Sequence, residues 1–515
     1  MAVSVQLLVT VLLGSLGFIY ARYRNKVLQR SLPPGPPRRF LFGNLKDLPK
    51  QRDWLAYAQL SEKYGSDVIS FSGLGKTITI LNSYRSITDL VEKRATYADR
   101  PRIPMVTEER LMNLGGLITL SRYGPRWRQL RKGIQLNMQE SVIPKYWPAQ
   151  ESATRNLMIR LLEHGDRLLY KDFQHWSASS VLSGTYGYDL PTDGTADPLV
   201  QHMQNLVAAF VQGSSPKFLV NLLLIFKYVL DWMPGAHFKT VARKARETKL
   251  LALDAPFEWV KSEMSKGTAS PSYVSRSLLE AGFGEEGSDG SGLLSFEDMI
   301  RHNAGVMFGA GFDTTLIAMT TFIIAMQMYP DVQFRARQEV LSTLDPITRL
   351  PEPAAVIRLA YLARVLKEVL RWIPVLPITV PHATMEQDEY NGYTIPAQST
   401  ILPNIWAITR DESIYPDPET FNPDRFLDPT VPYEYTFGHG RRRCPGMHFA
   451  SSNLLIAFAY ILTVFELGKG ISEDGSFIEP RPLMKKDPDC RLEDLKCSLK
   501  PWDRSLMEEL KGELY

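Results

Sequence analysis

Phe437-Gly438-His439-Gly440-Arg441-Arg442-Arg443-Cys444-Pro445-Gly446 stands near the C-terminus, directly before an apolar helical run that continues through Phe465. This stretch places a cysteine in a glycine-rich turn at the mouth of a helix. Glycines allow backbone amides to turn toward the sulfur, and those donors, with the N-terminus of the following helix, favour a thiolate over a thiol. The chain has only two other cysteines, Cys490 and Cys497, too few for a disulfide framework and suited to a reducing compartment. Cys444 is therefore read as a ligand sulfur.

Further clusters of chemistry-bearing residues lie upstream. Ala310-Gly311-Phe312-Asp313-Thr314-Thr315 falls inside an apolar pattern with capping-box spacing at Ser295 and Asp298 and a stop at Tyr329-Pro330, which predicts a helix of about 50 Å at about 1.5 Å per residue. Gly305, Gly309 and Gly311 each weaken a helix interior by roughly 1 kcal/mol against alanine. Their spacing asks for a compensating contact, and close approach of a flat ligand supplies one. Glu368 and Arg371 stand at i, i+3 on the segment Leu362 to Trp372 and can pair across one helix face. In Trp127-Arg128-Gln129-Leu130-Arg131, an aromatic N–H donor and a guanidinium share a face suited to anionic carboxylates.

The cysteine segment matches Phe-x-x-Gly-x-Arg-x-Cys-x-Gly at every fixed position and so resembles the signature of the cytochrome P-450 superfamily. In that family a cysteine thiolate is the proximal ligand of haem iron and pushes electron density onto dioxygen to favour O–O cleavage. The resemblance implies a mainly α fold with small β-sheets, with haem b between the long distal helix and the loop bearing Cys444. It implies that Phe437, Gly438, Ala310 and Gly311 contact the haem, and that Trp127, Arg131, Arg442 and His382 meet its propionates. Asp313 and Thr314 become the catalytic pair that guides protons. Phe421-Asn422-Pro423-Asp424-Arg425-Phe426 resembles the family's Pro-Glu-Arg-Phe element with Asp424 in the glutamate's place, so Arg425 is expected to join Glu368 and Arg371 in a buried structural triad. His439 and His448 inherit no role. Tyr123-Gly124-Pro125-Arg126-Trp127 and the arginine-rich cysteine loop look like microsomal fungal members that oxidise secondary metabolites.

The remaining chain agrees with a membrane-bound enzyme. Its 515 residues carry 59 basic and 56 acidic side chains, a net charge of +3 that excludes bulk electrostatic nucleic-acid binding. From Val5 to Tyr20 the chain is apolar, and Arg22, Arg24, Lys26 and Arg30 follow. With charge after rather than before the run, and no small-x-small cleavage site, residues 1–21 are read as an uncleaved anchor approaching the ~20 residues needed to span. The flanking charge predicts a cytosolic catalytic domain, 41–515, on the endoplasmic reticulum, and no Asn-x-Ser/Thr sequon contradicts this. Residues 22–40 form a basic and proline-rich hinge around Leu32-Pro33-Pro34-Gly35-Pro36-Pro37. A hairpin is predicted over Val68 to Leu81 and a strand signal over Tyr393 to Leu402, while Gly282 to Gly292, with five glycines, predicts an exposed loop. Gly75-Lys76-Thr77 resembles the end of a phosphate-binding loop, but Ser70 takes the first glycine's place and no helix start follows.

No flavin or nicotinamide motif occurs, so by the resemblance electrons come from an NADPH-cytochrome P-450 reductase on the same membrane, with cytochrome b5 as a second donor. Arg128, Lys132, Arg441 and Arg443 are the candidate docking cations. The resemblance places the distal pocket at Ile103 to Val106, Leu117, Val306, Ala310, Val375 to Ile378 and Leu483-Met484, an apolar set that predicts a lipophilic substrate. Phe218 to Leu230, nearly uncharged, is either a bilayer-dipping segment or a core helix. The competing readings are a haem-thiolate isomerase or peroxygenase that needs no reductase, and a non-catalytic haem-binding protein.

Overall fold

The structure, a computed structural model of the 515-residue chain, describes residues 31–39, 43–50, 52–191, 195–215, 217–281, 293–344, 349–472, 474–482 and 495–503. The expected anchor at 1–21, hinge residues 22–30 and 40, the loop 282–292, Leu483, Met484 and Cys490 lie outside the described residues. Two compact units are present: residues up to Pro101 with Ile378–Ala407, and Arg102–Pro377 with the chain from Ile408 onward.

The smaller unit carries helix α1 (Asp53–Tyr64) and strands β1 (Val68–Gly73), β2 (Lys76–Leu81), β3 (His382–Ala383), β4 (Asp388–Tyr390), β5 (Tyr393–Ile395) and β6 (Thr400–Pro403). β1 and β2 form the expected hairpin, in register from Val68 opposite Leu81 to Gly73 opposite Lys76. Leu74 and Gly75 both take positive φ, the backbone that matches strand twist in a two-residue turn. Gly75-Lys76-Thr77 is therefore a hairpin tip. The single strand signal over Tyr393 to Leu402 resolves into β5 and β6, which belong to different sheets: β4-β5 and β1-β2-β6-β3.

The larger unit is helical. Its longer helices are α2 (Pro125–Met138), α3 (Trp147–His164), α4 (Leu169–Tyr186), α5 (Pro198–Gly213), α6 (His237–Lys266), α7 (Tyr273–Ala281), α8 (Phe296–Met328), α9 (Pro330–Leu341), α10 (Ala360–Trp372) and α11 (Met447–Val464). Strands β7 (Phe465–Ile471), β8 (Phe477–Ile478) and β9 (Cys497–Pro501) complete it as a small antiparallel sheet. The apolar run after Cys444 thus ends as a helix at Val464, and Phe465 opens a strand.

Helix α8 organises this unit. Ser295 caps it, its hydroxyl accepting from the Asp298 amide at 3.1 Å, and the 33-residue helix stops where Pro330 cannot continue it. From Thr315 to Gln327 every residue is buried, the signature of a helix enclosed on all sides. Phe322 stacks on Phe458 of α11 with centroids 3.7 Å apart. Among the described residues α8 and α11 are long and apolar enough to cross a membrane, but most of each is buried within the protein, as core helices are.

Candidate active site

The cysteine turn is built by backbone geometry. Gly438 adopts φ +89° and ψ −170°, a conformation essentially reserved for glycine, and Gly440 adopts φ +53°. The turn closes where the Cys444 amide donates to the Phe437 carbonyl at 2.8 Å, and α11 starts three residues beyond the cysteine. Gln150 of α3 holds the other side: its Nε2 donates to the Phe449 carbonyl at 3.1 Å and its Oε1 accepts from Ser452 at 2.9 Å. His439 is buried, and burial with the nearby Arg443 pushes its imidazole down to about 4, so it stays neutral and plays no acid–base part.

The Cys444 side chain has accessible surface, yet protein crowds it from behind, and burial dominates its acidity. Burial raises the thiol above its ordinary value by more than the Gly446 amide and Arg131 lower it. Burial therefore opposes the thiolate that the turn and helix N-terminus favour. A coordinated metal would deprotonate the sulfur outright.

Arg131 and Trp127 meet the cysteine loop from α2. Arg131 donates to the Arg443 carbonyl at 2.5 Å, and burial lowers its guanidinium, which has no carboxylate partner among the described residues. Arg442 lies 4.6 Å from the Trp127 ring centroid and donates to the carbonyls of Ile118 at 3.1 Å and Ser121 at 2.7 Å. Of the four expected propionate residues, Arg131 meets the cysteine loop and Arg442 packs on Trp127. The fourth, His382, lies on β3 of the smaller unit, buried, with Nδ1 2.9 Å from the Tyr97 carbonyl.

Helix α8 offers one open face. Ala310 is exposed at mid-helix, and Val306, Gly311, Asp313 and Thr314 retain partial exposure, whereas Thr315 to Gln327 are buried. The Thr314 hydroxyl donates to the Ala310 carbonyl at 2.8 Å, and Ser177 of α4 ties the Phe312 carbonyl at 2.6 Å. The glycines work differently from expectation. A Cβ at Gly305 would meet Leu253 Cδ2 at 1.9 Å, at Gly309 Met203 Sδ at 2.8 Å, and at Gly311 Val181 Cγ2 at 3.0 Å. They admit side chains of α6, α5 and α4, so helix packing rather than a flat ligand compensates for them.

These residues fit a haem. Cys444 offers one sulfur donor, which suits iron whose other ligands a macrocycle supplies. The desolvated, carboxylate-free Arg131 suits a propionate. A sequence profile of cytochrome P450 matches residues 33–488. The chain belongs to the cytochrome P450 family. It is 36% identical over 485 residues to a cytochrome P450 monooxygenase of Armillaria gallica, covering 93% of each chain. It is 33% identical to the tryptamine 4-monooxygenase of Psilocybe cyanescens, covering 98% of this chain and 99% of that one. A zebrafish cytochrome P450 solved with progesterone shares the fold, with TM-score 0.68 and 21% identity over 87% of this chain and 99% of that one. This P450 is accordingly a haem-dependent monooxygenase, an oxidoreductase that incorporates oxygen.

The P450's structural triad forms as expected. Glu368 takes Arg371 Nε at 2.7 Å and Nη2 at 2.8 Å, Arg425 Nε at 3.0 Å and the Asn422 amide at 2.8 Å. Asp424, the departure from the family element, turns instead to Arg335 at 2.8 Å and Arg364 at 3.7 Å. The pocket set divides: Ile103, Val306, Ala310, Val375 and Leu376 have accessible surface, whereas Met105, Val106, Leu117, Pro377 and Ile378 are buried as core. Arg128, Lys132 and Arg441 are exposed, but Arg443 is spent on Glu434 at 2.6 Å and adds little free charge. Sequence reasoning missed Gln150, Ser177 and Asn303, whose amide reaches the Leu130 carbonyl at 3.1 Å and ties α2 to α8. Their only sequence signal is a polar residue inside an apolar helical stretch.

Proposed function

We propose that the chain hydroxylates or epoxidises a lipophilic small molecule of fungal secondary metabolism, at the cytosolic face of the endoplasmic reticulum membrane behind a single N-terminal anchor. The observation that supports this most directly is the glycine-dependent loop that presents Cys444 beside the carboxylate-free Arg131. When bound, haem b supplies dioxygen activation with electrons from NADPH through a reductase. Trp127, Arg131 and Arg442 would hold its propionates, Phe437 and Gly438 would back its sulfur side, and Ala310 and Gly311 its other face. Thr314 and Asp313 hold and pass protons there, the Thr314 hydroxyl resting on the Ala310 carbonyl until recruited. The tryptamine-oxidising relative makes a flat aromatic compound one substrate class worth testing.

The test is full-length protein expressed with an NADPH-dependent reductase. A thiolate-type ferrous carbon-monoxide spectrum is expected, with products that carry one atom of isotopically labelled dioxygen and require NADPH. Isomerised products, or turnover with peroxide alone, would transfer support to the isomerase or peroxygenase reading. A thiolate spectrum without turnover of any panel compound would leave a haem-binding protein.

Electron delivery uses the outer face of α2, where Arg128, Lys132, Gln135 and Leu136 line a shallow groove of about 260 Å³ with Trp127 and Arg131 behind. Exchanging Arg128, Lys132 and Arg441 together for glutamate is expected to lower reductase-driven turnover about tenfold or more at low salt, because complementary charge acts mainly on the association rate. Unchanged salt-dependent kinetics would place docking elsewhere.

Membrane contact extends beyond the anchor. Phe218 to Leu230 is neither a core helix nor continuous: a short helix (Leu219–Leu222) and a 3-10 turn (Leu224–Tyr228) leave Ile225 68% and Trp232 78% exposed, with Leu219, Tyr228 and Leu230 also exposed. A contiguous apolar surface of this kind is a membrane or partner surface. With the anchor deleted, liposome binding is expected to persist and to fall roughly tenfold for each of Ile225→Asp and Trp232→Asp, following about 1.5 kcal/mol per large apolar side chain buried. Vesicle flotation of the two variants equal to the parent would refute insertion.

A further inference from the structure

Two cations and an imidazole from three helices of the larger unit, Arg126, Lys249 and His302, lie within electrostatic range of one another. Arg126 sits in the first turn of α2, Lys249 on α6 and His302 in the second turn of α8, each half-buried. Burial lowers the Lys249 ammonium, and Arg126 lowers it further. Burial likewise pushes the His302 imidazole below its ordinary value against the pull of the Asp298 carbonyl, with Lys249 and Arg126 adding to the push.

Like charges gathered in partial burial are unfavourable unless something of opposite sign joins them. Here the protein supplies little relief. Lys249 donates to the Asn113 carbonyl at 2.8 Å. His302 Nδ1 meets the Asp298 carbonyl at 2.7 Å, which leaves Nε2 facing outward from that bond. Arg126 makes no hydrogen bond or ion pair among the described residues, and its buried Nε has no partner. Asp254 and Asp298, the carboxylates that act on Lys249 and His302, are drawn to Arg301 at 3.6 and 3.3 Å. A cation in a helix's first turn is also opposed by the macrodipole, so Arg126 is not placed there for helix stability. Gly116 makes room for it: a Cβ there would stand 2.6 Å from Arg126 Nη2.

We propose that Arg126, Lys249 and His302 form an oxyanion subsite that binds a carboxylate or phosphate. His302, Val306 and Ala310 recur at i, i+4 and i+8 on one accessible face of α8. The subsite therefore lies about 12 Å along the helix from Ala310, at about 1.5 Å per residue. That distance suits a lipophilic substrate whose anionic end is fixed here while its apolar body reaches Ala310, a reading that rests on the monooxygenase assignment and on this face of α8 as a substrate wall. A free anion acting as an effector presents the same chemistry.

The experiment uses haem-loaded full-length protein with isotope-labelled histidine, the His302 resonance being assigned against His302→Gln. Inorganic phosphate or dodecanoate is expected to shift that resonance saturably and to raise the His302 pKa, and Arg126→Gln with Lys249→Gln to weaken the response at least about tenfold, as loss of charge-assisted bonds requires. Lys249→Gln alone is measured as well, in case the double variant does not fold. Dodecanoate binding about tenfold tighter than dodecanol, in competition with phosphate, assigns the subsite to the substrate's own end. Phosphate binding with no preference between the two chains assigns it to a free anion, and either result supports the subsite. No saturable shift with either anion, or the same shift in the double variant, overturns it. Failure of the monooxygenase reading is seen separately, as loss of the thiolate-type carbon-monoxide spectrum in the parent protein.

Discussion

Replacing Cys444 by serine is expected to abolish the thiolate-type ferrous carbon-monoxide spectrum and to lower monooxygenation by at least about a thousandfold, or about 4 kcal/mol of barrier. The turn of the loop is made by its backbone rather than by the sulfur. The loop is closed by the Cys444 backbone amide on the Phe437 carbonyl and shaped by Gly438, and both survive the exchange. Stability of the protein part is therefore expected to change by less than about 1 kcal/mol, as for a substitution with no packing role. Cys497 offers no substitute: it is buried on β9, where burial drives its thiol far up. Spectra of parent and variant after reduction under carbon monoxide decide the matter, and a variant that kept the sulfur-type signature would remove Cys444 from the site.

Glu368→Gln acts through stability instead. Glu368 and Arg371 side chains are fully buried and Arg425 nearly so, and one carboxylate neutralises both guanidinium groups. The arginines also donate to the carbonyls of Thr409 at 2.9 Å and Pro416 at 2.9 Å, so neither can swing out to water when the charge is lost. Removing one member of a buried ion pair is destabilising by about 3–5 kcal/mol, because the remaining charge is left uncompensated. Against a total stability of about 5–15 kcal/mol this is a large fraction. Little soluble holoprotein is expected, with haem lost early in thermal unfolding. Asp424→Asn is the contrast, since its partner Arg335 is half-exposed and such pairs contribute about 0–1 kcal/mol. Equal thermal behaviour of the two variants would mean that Glu368 is not the keystone of this region.

Much of the architecture was written in short segments. The hairpin tip at Leu74-Gly75, the cap at Ser295 and the stop at Tyr329-Pro330 are decided by sterics and hydrogen bonding within a few residues. The cysteine turn is of the same kind, because only glycine tolerates the backbone at residue 438. The i, i+3 spacing of Glu368 and Arg371 allowed their pairing to be foreseen, while Arg425 and Asp424 became assignable only through family resemblance.

Other features depend on residues far away in the chain, and local pattern does not encode them. Gly305, Gly309 and Gly311 stand within one stretch of α8, yet what each faces is Leu253, Met203 or Val181, brought there by three separate helices. Whether a cation is free or spent turns on such meetings too: Arg443 met Glu434, whereas Arg126 makes no ion pair among the described residues. Burial likewise raises the Cys444 thiol, a tertiary effect set against the local Gly446 amide and Arg131. The sequence by itself therefore determined the hairpin, the ends of α8 and the glycine turn that bears Cys444, since backbone sterics and capping act over a few bonds. Only the tertiary structure decided burial, charge pairing and what the glycines face, since those depend on which distant side chains share a volume.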